Sequence, residues 1–148
     1  SMMYGGRMCR LGLALAAWVL VLVACGPIGG DSAGDLNGTS WRLISYRNTA
    51  GHTVHVLPGT EITAEFQDGG IGGKATCNSY FGVVVIKGDQ LTVQGIGMTE
   101  MYCFPEENME QEAGYIAALS AAASYQWDGT RLTVADPSGR IILTFTRR

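Results

Sequence analysis

From Trp41 onward the chain alternates apolar and polar positions over short runs separated by turn residues, a spacing that predicts an antiparallel sheet. Residues 41–47 form the first run, and residues 52–57 follow the Asn48-Thr49-Ala50-Gly51 turn. Next, Ile62, Ala64 and Phe66 share one face with Thr63 and Glu65 opposite, the period of two that a strand imposes. Asp68-Gly69-Gly70 leads into a glycine-rich stretch ending at Cys77. Residues 81–87 and 90–95 are then joined by Gly88-Asp89, a two-residue, glycine-led turn suited to a tight hairpin.

Over residues 106–122 the period changes to about 3.6, with Met109, Ala113, Ile116, Ala117 and Ser120 on one stripe, which predicts a helix. Pro105 suits its start, and Glu106, Glu107, Glu110 and Glu112 place negative charge at the positive end of the helix dipole. Its alanine-rich second half predicts close packing on a sheet. Strand character returns at residues 124–127 and 131–135, and in a final run where Ile141, Leu143 and Phe145 point one way. Together these runs predict an α+β, mostly β fold: a strongly bent antiparallel sheet, an open or cracked barrel, of about eight short strands with one helix across its open side.

The N-terminus belongs to a different class. Ser1, ahead of two methionines, reads as a vector scar; Arg7 and Arg10 then precede a run of fourteen almost purely apolar residues from Leu11 to Ala24. A membrane-spanning helix needs about 20 such residues, so the run fits the hydrophobic region of a secretory leader. The tetrapeptide Leu22-Val23-Ala24-Cys25 resembles the lipobox of bacterial lipoproteins. That resemblance implies removal of residues 1–24 and lipidation of Cys25, which would become the membrane attachment; the alternative is an ordinary secretory leader beside an incidental cysteine. Several acyl chains on one residue would anchor the protein firmly. The organisation expected is a signal peptide at 1–24, lipidated Cys25 with a flexible tether through 38, and a folded domain at 39–148. The tether is expected because its Gly, Asp, Ser, Asn and Pro residues cannot build a core. The location expected is the cell envelope. Gly26 replaces the aspartate that retains lipoproteins at the inner membrane of enteric bacteria, which favours the outer membrane, facing the periplasm, if the source is Gram-negative.

With residues 1–24 removed, 124 residues remain, and with Arg7 and Arg10 gone eight Lys/Arg face thirteen Asp/Glu, a net charge of about −5. An acidic chain is a poor ligand for phosphate backbones, so nucleic acid is not an expected partner. Of four cysteines, Cys9 leaves with the leader and Cys25 takes lipid, leaving Cys77 and Cys103. An even pair in an oxidising compartment is expected to form a disulfide; two separate buried thiols are the alternative.

Candidate chemistry is sparse. The glycine-rich stretch before Lys74 lacks the earlier glycine and the hydroxyl after lysine that a phosphate-binding loop requires; Asp68 and Ala75 stand there. Those glycines read instead as a strand that twists or approaches another backbone. His52 and His55 lie three apart in a predicted strand, so alternation sends them to opposite faces. No third ligand is evident nearby, and no metal, cofactor or catalytic residue is expected. Ser79 and Ser120 lack the context of an activated nucleophile. The aromatic residues, among them Trp41, Tyr80, Phe81, Tyr102, Phe104 and Tyr115, are expected to pack the core, with a ligand cavity inside the bent sheet as the alternative.

Six segments carry a family resemblance: residues 38–43, residues 62–66, residues 73–82 with Cys77-Asn78-Ser79-Tyr80 at their centre, residues 98–103 ending in Cys103, and the closing residues 132–134 and 139–145. Together they resemble the META domain, whose best-known bacterial branch is the heat-shock-inducible, HslJ-like lipoprotein group. The resemblance implies a small domain with a bent antiparallel sheet and one helix, in an envelope protein linked to heat or antibiotic stress. It brings no catalytic residues, and Asn78 and Tyr80 transfer only as motif residues, expected to be structural: Asn78 tying down a turn and Tyr80 packing under it. The function expected is a non-catalytic, stress-related binding or scaffolding module with an envelope protein partner. The alternative is a carrier that shelters a small apolar or acyl ligand inside the sheet.

Overall fold

The computed structural model describes residues 36–148. The leader, Cys25 and the tether through residue 35 lie outside the described residues. Nine strands and one helix follow in the order β1 (Thr39–Arg47), β2 (Thr53–His55), β3 (Thr63–Gln67), β4 (Gly70–Lys74), β5 (Ser79–Lys87), β6 (Gln90–Met98), α1 (Glu106–Ser120), β7 (Ser124–Trp127), β8 (Arg131–Ala135) and β9 (Ile141–Arg147). The predicted mostly β fold with one helix is the fold observed. The ninth strand is β4, formed by the glycine-rich stretch.

Every pairing is antiparallel, and the strand order β2-β1-β3-β4-β5-β6-β7-β8-β9 closes on itself where β9 returns to β1. One edge of β1 pairs with β9; the other pairs with β3 over its first half and with β2 over its last three residues. The result is a ring-like bent sheet with a thin seam, because β6 and β7 meet at a single pair, Gln90 with Ser124. The hairpin between β5 and β6 is the expected tight one, with Lys87 opposite Gln90 across Gly88 and Asp89.

Trp41, Ile62, Leu91, Tyr115, Leu132, Leu143 and Phe145 fill the interior, each essentially inaccessible to water. Burial of a side chain of this size contributes about 1.5–3 kcal/mol, so the filled ring is the main source of stability. Leu36 joins this core, although it fell within the stretch expected to be tether, and the Gly38 N–H donates to the carbonyl of Phe66 at 2.7 Å. Leu36 and Gly38 therefore belong to the packed domain. Residues 62, 64 and 66 face inward as predicted. The final strand differs from expectation: a bulge lies where Val134 pairs with Leu143 but Ala135 pairs with Ile141, so Ile142 is buried and Ile141 stands exposed.

Helix α1 packs on β1, β6 and β9. Its buried face is not the predicted one. Gln111, Glu112, Gly114, Tyr115, Ala118 and Leu119 face the sheet, while Ala113, Ala117 and Ser120 are exposed and Met109 and Ile116 only half-buried. The reason is packing volume: Tyr115 and Leu119 bury more apolar surface than the alanines of the predicted stripe. Gly114 sits on this face because a Cβ there would approach the Tyr46 ring to 2.7 Å.

The glycines of β4 act as expected of a strand that approaches another backbone. A Cβ on Gly73 would collide with the carbonyl oxygen of Thr63 on the neighbouring segment. Only glycine lets β4 cross that point.

Candidate functional site

The two cysteine-bearing segments of the family resemblance, residues 73–82 and 98–103, meet where the β4–β5 connection, the loop after β6 and the first two turns of α1 come together. Cys77 and Cys103 are joined by a disulfide with Cα atoms 5.8 Å apart, which ties the start of β5 to the loop before the helix. Asn78, beside the bridge, is buried and uses both ends of its amide. Its Oδ1 accepts from the Met101 N–H at 2.7 Å and the Thr99 hydroxyl at 2.9 Å, while its Nδ2 donates to the Met101 carbonyl at 2.9 Å. That paired contact treats the Met101 peptide as a strand would, where no strand lies alongside.

The turn is held from below by two helix residues, Gln111 and Glu112, that lie off the predicted apolar stripe. Glu112 is buried, and its Oε2 accepts from the N–H groups of Cys77 at 2.9 Å and Asn78 at 2.7 Å. Its Oε1 accepts from Asn78 Nδ2 at 2.6 Å. This carboxylate serves the loop, not the helix dipole as sequence reading expected. Gln111, also buried, accepts from the Leu57 N–H at 2.7 Å and donates to the hydroxyls of Thr60 and Thr76, each at 2.9 Å. Thr76 sits at φ 88°, a region β-branched residues avoid, and the contacts from Gln111 and the adjoining Glu112 turn hold it there.

Tyr80 lies on the inward side of β5, underneath the turn. Its hydroxyl donates to the carbonyl of Thr63 at 2.7 Å and pairs with the Tyr115 hydroxyl at 2.6 Å. Because Tyr80 has one proton and gives it to Thr63, Tyr115 is the donor between the two rings. Burial pushes both hydroxyls well above the ordinary tyrosine range, so both stay neutral and act as hydrogen-bonding struts. The rings meet edge to face at 5.4 Å, and Tyr115 continues edge to face onto Phe145.

Other candidates are not brought to this place. His52 and His55 are exposed on and beside β2, Ser120 is exposed at the end of α1, and Ser79 is exposed beside Asn78. Among the described residues, no three His, Cys, Asp or Glu side chains converge as a metal site would require, and no helix is long and apolar enough to cross a membrane. Most aromatic residues pack the core as expected. Three do not: Phe81, Tyr102 and Phe104 are exposed, since β5 turns Phe81 outward and the pinned loop after β6 turns the other two into solvent. Sequence reading missed Gln111, Glu112, Thr99 and Met101 as partners of the motif. Its one available signal was a second helical stripe, Gln111, Tyr115, Ala118 and Leu119, more apolar in volume than the one chosen.

Comparison with known proteins bears on the fold and the family. An NMR structure of a protein from Burkholderia xenovorans is similar, at 25% identity over 85% of this chain and 92% of that one, with a TM-score of 0.66. A crystal structure of a duf4847 family protein from Bacteroides vulgatus ATCC 8482 shares the fold at 16% identity, covering 76% of this chain and 94% of that one, with a TM-score of 0.53. No curated protein matches the chain. The META domain profile matches residues 34–148, which span the ring, the helix and every residue of the pinned turn. This chain belongs to the META domain family.

Proposed function

We propose that the protein is a non-catalytic binding module of the cell envelope, anchored through lipid on Cys25 and serving a stress response, with another envelope protein as its partner. One observation carries the reading. The polar atoms of the motif residues Asn78 and Tyr80 and of their partner Glu112 are engaged with the protein itself, and what they accomplish is to hold one exposed loop against the helix. A reactive carboxylate, hydroxyl or amide needs free valence toward a substrate; these have theirs satisfied internally. The carrier alternative is weaker because Trp41, Leu91, Tyr115, Leu132 and Phe145 occupy the space inside the ring where an apolar ligand would sit.

The anchor and the role are tested on protein extracted from its own membranes. Intact mass is expected to show a chain beginning at position 25 with several acyl groups, and native mass spectrometry no retained small molecule. A chain that keeps residues 1–24 with a free thiol at Cys25 overturns the anchor. A stoichiometric apolar ligand overturns the binding-module reading in favour of the carrier.

A further inference from the structure

We propose that the loop between β6 and α1, with Phe81 on the adjoining strand, is the docking surface of this domain, and that its occupant is a polypeptide segment with apolar anchor side chains flanked by lysine or arginine. The inference rests on the binding-module reading and names the surface and the partner chemistry.

Exposure marks the place. Phe104 is 86% exposed, Tyr102 70%, Phe81 64% and Met101 56%, and of the seven large hydrophobic residues that stand exposed among the described residues three fall within four positions of this one loop. Single exposed apolar residues are ordinary, but a group of them on one loop marks an interaction surface. Phe81 belongs to the same end of the sheet: its ring lies over Gly97, whose Cα is bare, and the chain runs from Gly97 beside Ser79 to reach Met101.

The loop is also rigid, which an exposed aromatic loop need not be. Both backbone groups of Met101 are held by Asn78, Cys103 is bridged to Cys77, and the Cys103 N–H donates to Met109 Sδ at 3.4 Å. Aromatic anchors presented on a preorganised backbone lose little further entropy on binding, the condition under which a few side chains dominate an interface.

Charge selects the occupant. Glu100, Glu106 and Glu107 are exposed around the apolar residues, and none belongs to an ion pair among the described residues. No Lys, Arg or His occurs from residue 88 to residue 130, and the nearest cation by strand register is Lys74, opposite Ser79. An acidic rim around apolar anchors complements basic residues around apolar ones. A second copy would bring acid against acid across a two-fold axis, and anionic lipid headgroups would be repelled in the same way.

The test places the photoreactive residue p-benzoylphenylalanine at Tyr102 or Phe104 of the full chain in cells, with Gln126 and Gln67 as control positions, and identifies the crosslinked peptides by mass spectrometry. Crosslinks from 102 and 104 to a polypeptide segment containing Lys or Arg beside apolar residues are expected. Their yield should fall about tenfold or more in Glu100→Lys/Glu106→Lys/Glu107→Lys, and by a similar factor when the other anchor is changed to serine. Far-ultraviolet circular dichroism and the melting temperature should stay unchanged, since all the altered side chains are exposed. Crosslinks only to lipid, only to a second copy, or to a segment whose capture ignores the charge reversal overturn the proposal. Crosslinks from the control positions but not from 102 or 104 overturn this surface and leave the binding-module reading standing. No polypeptide crosslink from any position sinks both.

Discussion

Replacing Glu112 with alanine should be the most damaging single change at the pinned turn, although the sequence offers it only as one of four glutamates complementing the helix dipole. The substitution strands three donors: the N–H groups of Cys77 and Asn78 and the Nδ2 of Asn78. Cys77 is half-buried and its N–H can recruit water, whereas both Asn78 groups belong to a buried residue. A buried donor left without an acceptor costs about 1–3 kcal/mol. Two of them predict a loss of about 4 kcal/mol, a large fraction of the ~5–15 kcal/mol that holds a domain of this size together. By the usual scaling for about 110 residues, the melting temperature should drop by roughly 15 °C. Glu112→Gln should cost about half as much, because one amide oxygen remains to accept while the amide nitrogen faces another donor. Urea denaturation of the purified protein measures the loss, and amide exchange over residues 99–104 should accelerate more than exchange in β8. Asn78→Ala combined with Glu112→Ala should lose less than the sum of the two single changes, since they share a hydrogen bond. A loss below about 1 kcal/mol for Glu112→Ala, or strict additivity with Asn78→Ala, would refute the claim that this carboxylate holds the turn.

Three further outcomes follow from the same geometry. Cys77→Ser/Cys103→Ser should destabilise the domain by about 3.5 kcal/mol in the chain-entropy model, given a sequence separation of 26; a denaturation midpoint unchanged by the substitution contradicts the bridge. Gly73→Ala should cost more than about 2 kcal/mol, because its Cβ meets the Thr63 backbone and β3 and β4 must part, whereas Gly59→Ala, with open space around it, should cost less. Tyr80 and Tyr115 have folded-state values raised by burial above the ordinary value of about 10, so the unfolded chain ionises first: their stabilisation is complete below pH 10 and is lost as pH rises beyond it. Ultraviolet titration should show both ionising only as the fold melts, and reversible ionisation near pH 10 in the folded protein would contradict the strut.

How much of this was legible before the structure depends on what kind of signal each residue leaves. Ile62, Ala64 and Phe66 declared an inward face because a strand has only two faces and apolar residues chose one. The glycine-rich strand β4 was legible only from its composition, because Gly70, Gly72 and Gly73 have no side chain to alternate; its bounds and its place as the ninth strand come from the close approach of Gly73 to the Thr63 backbone. Ile141 misled because a bulge inserts a residue that alternation cannot anticipate.

The helix is the instructive failure, because two stripes of the same period compete on it. Counting apolar residues selects the alanine stripe; weighing them by volume selects Tyr115 and Leu119, and the structure follows volume. That choice rotates Gln111 and Glu112 inward, where hydrophobic periodicity counts them as errors. They are tolerated because each meets a loop whose backbone groups have no strand partner: residues 57–60 for Gln111 and residues 76–78 for Glu112. A buried polar pair at consecutive helical positions is therefore what the Cys-Asn-x-Tyr turn demands of the helix beneath it. The motif in one segment and Gln111-Glu112 in another are halves of a single hydrogen-bonded device, and the loop it holds carries the exposed aromatic residues outward.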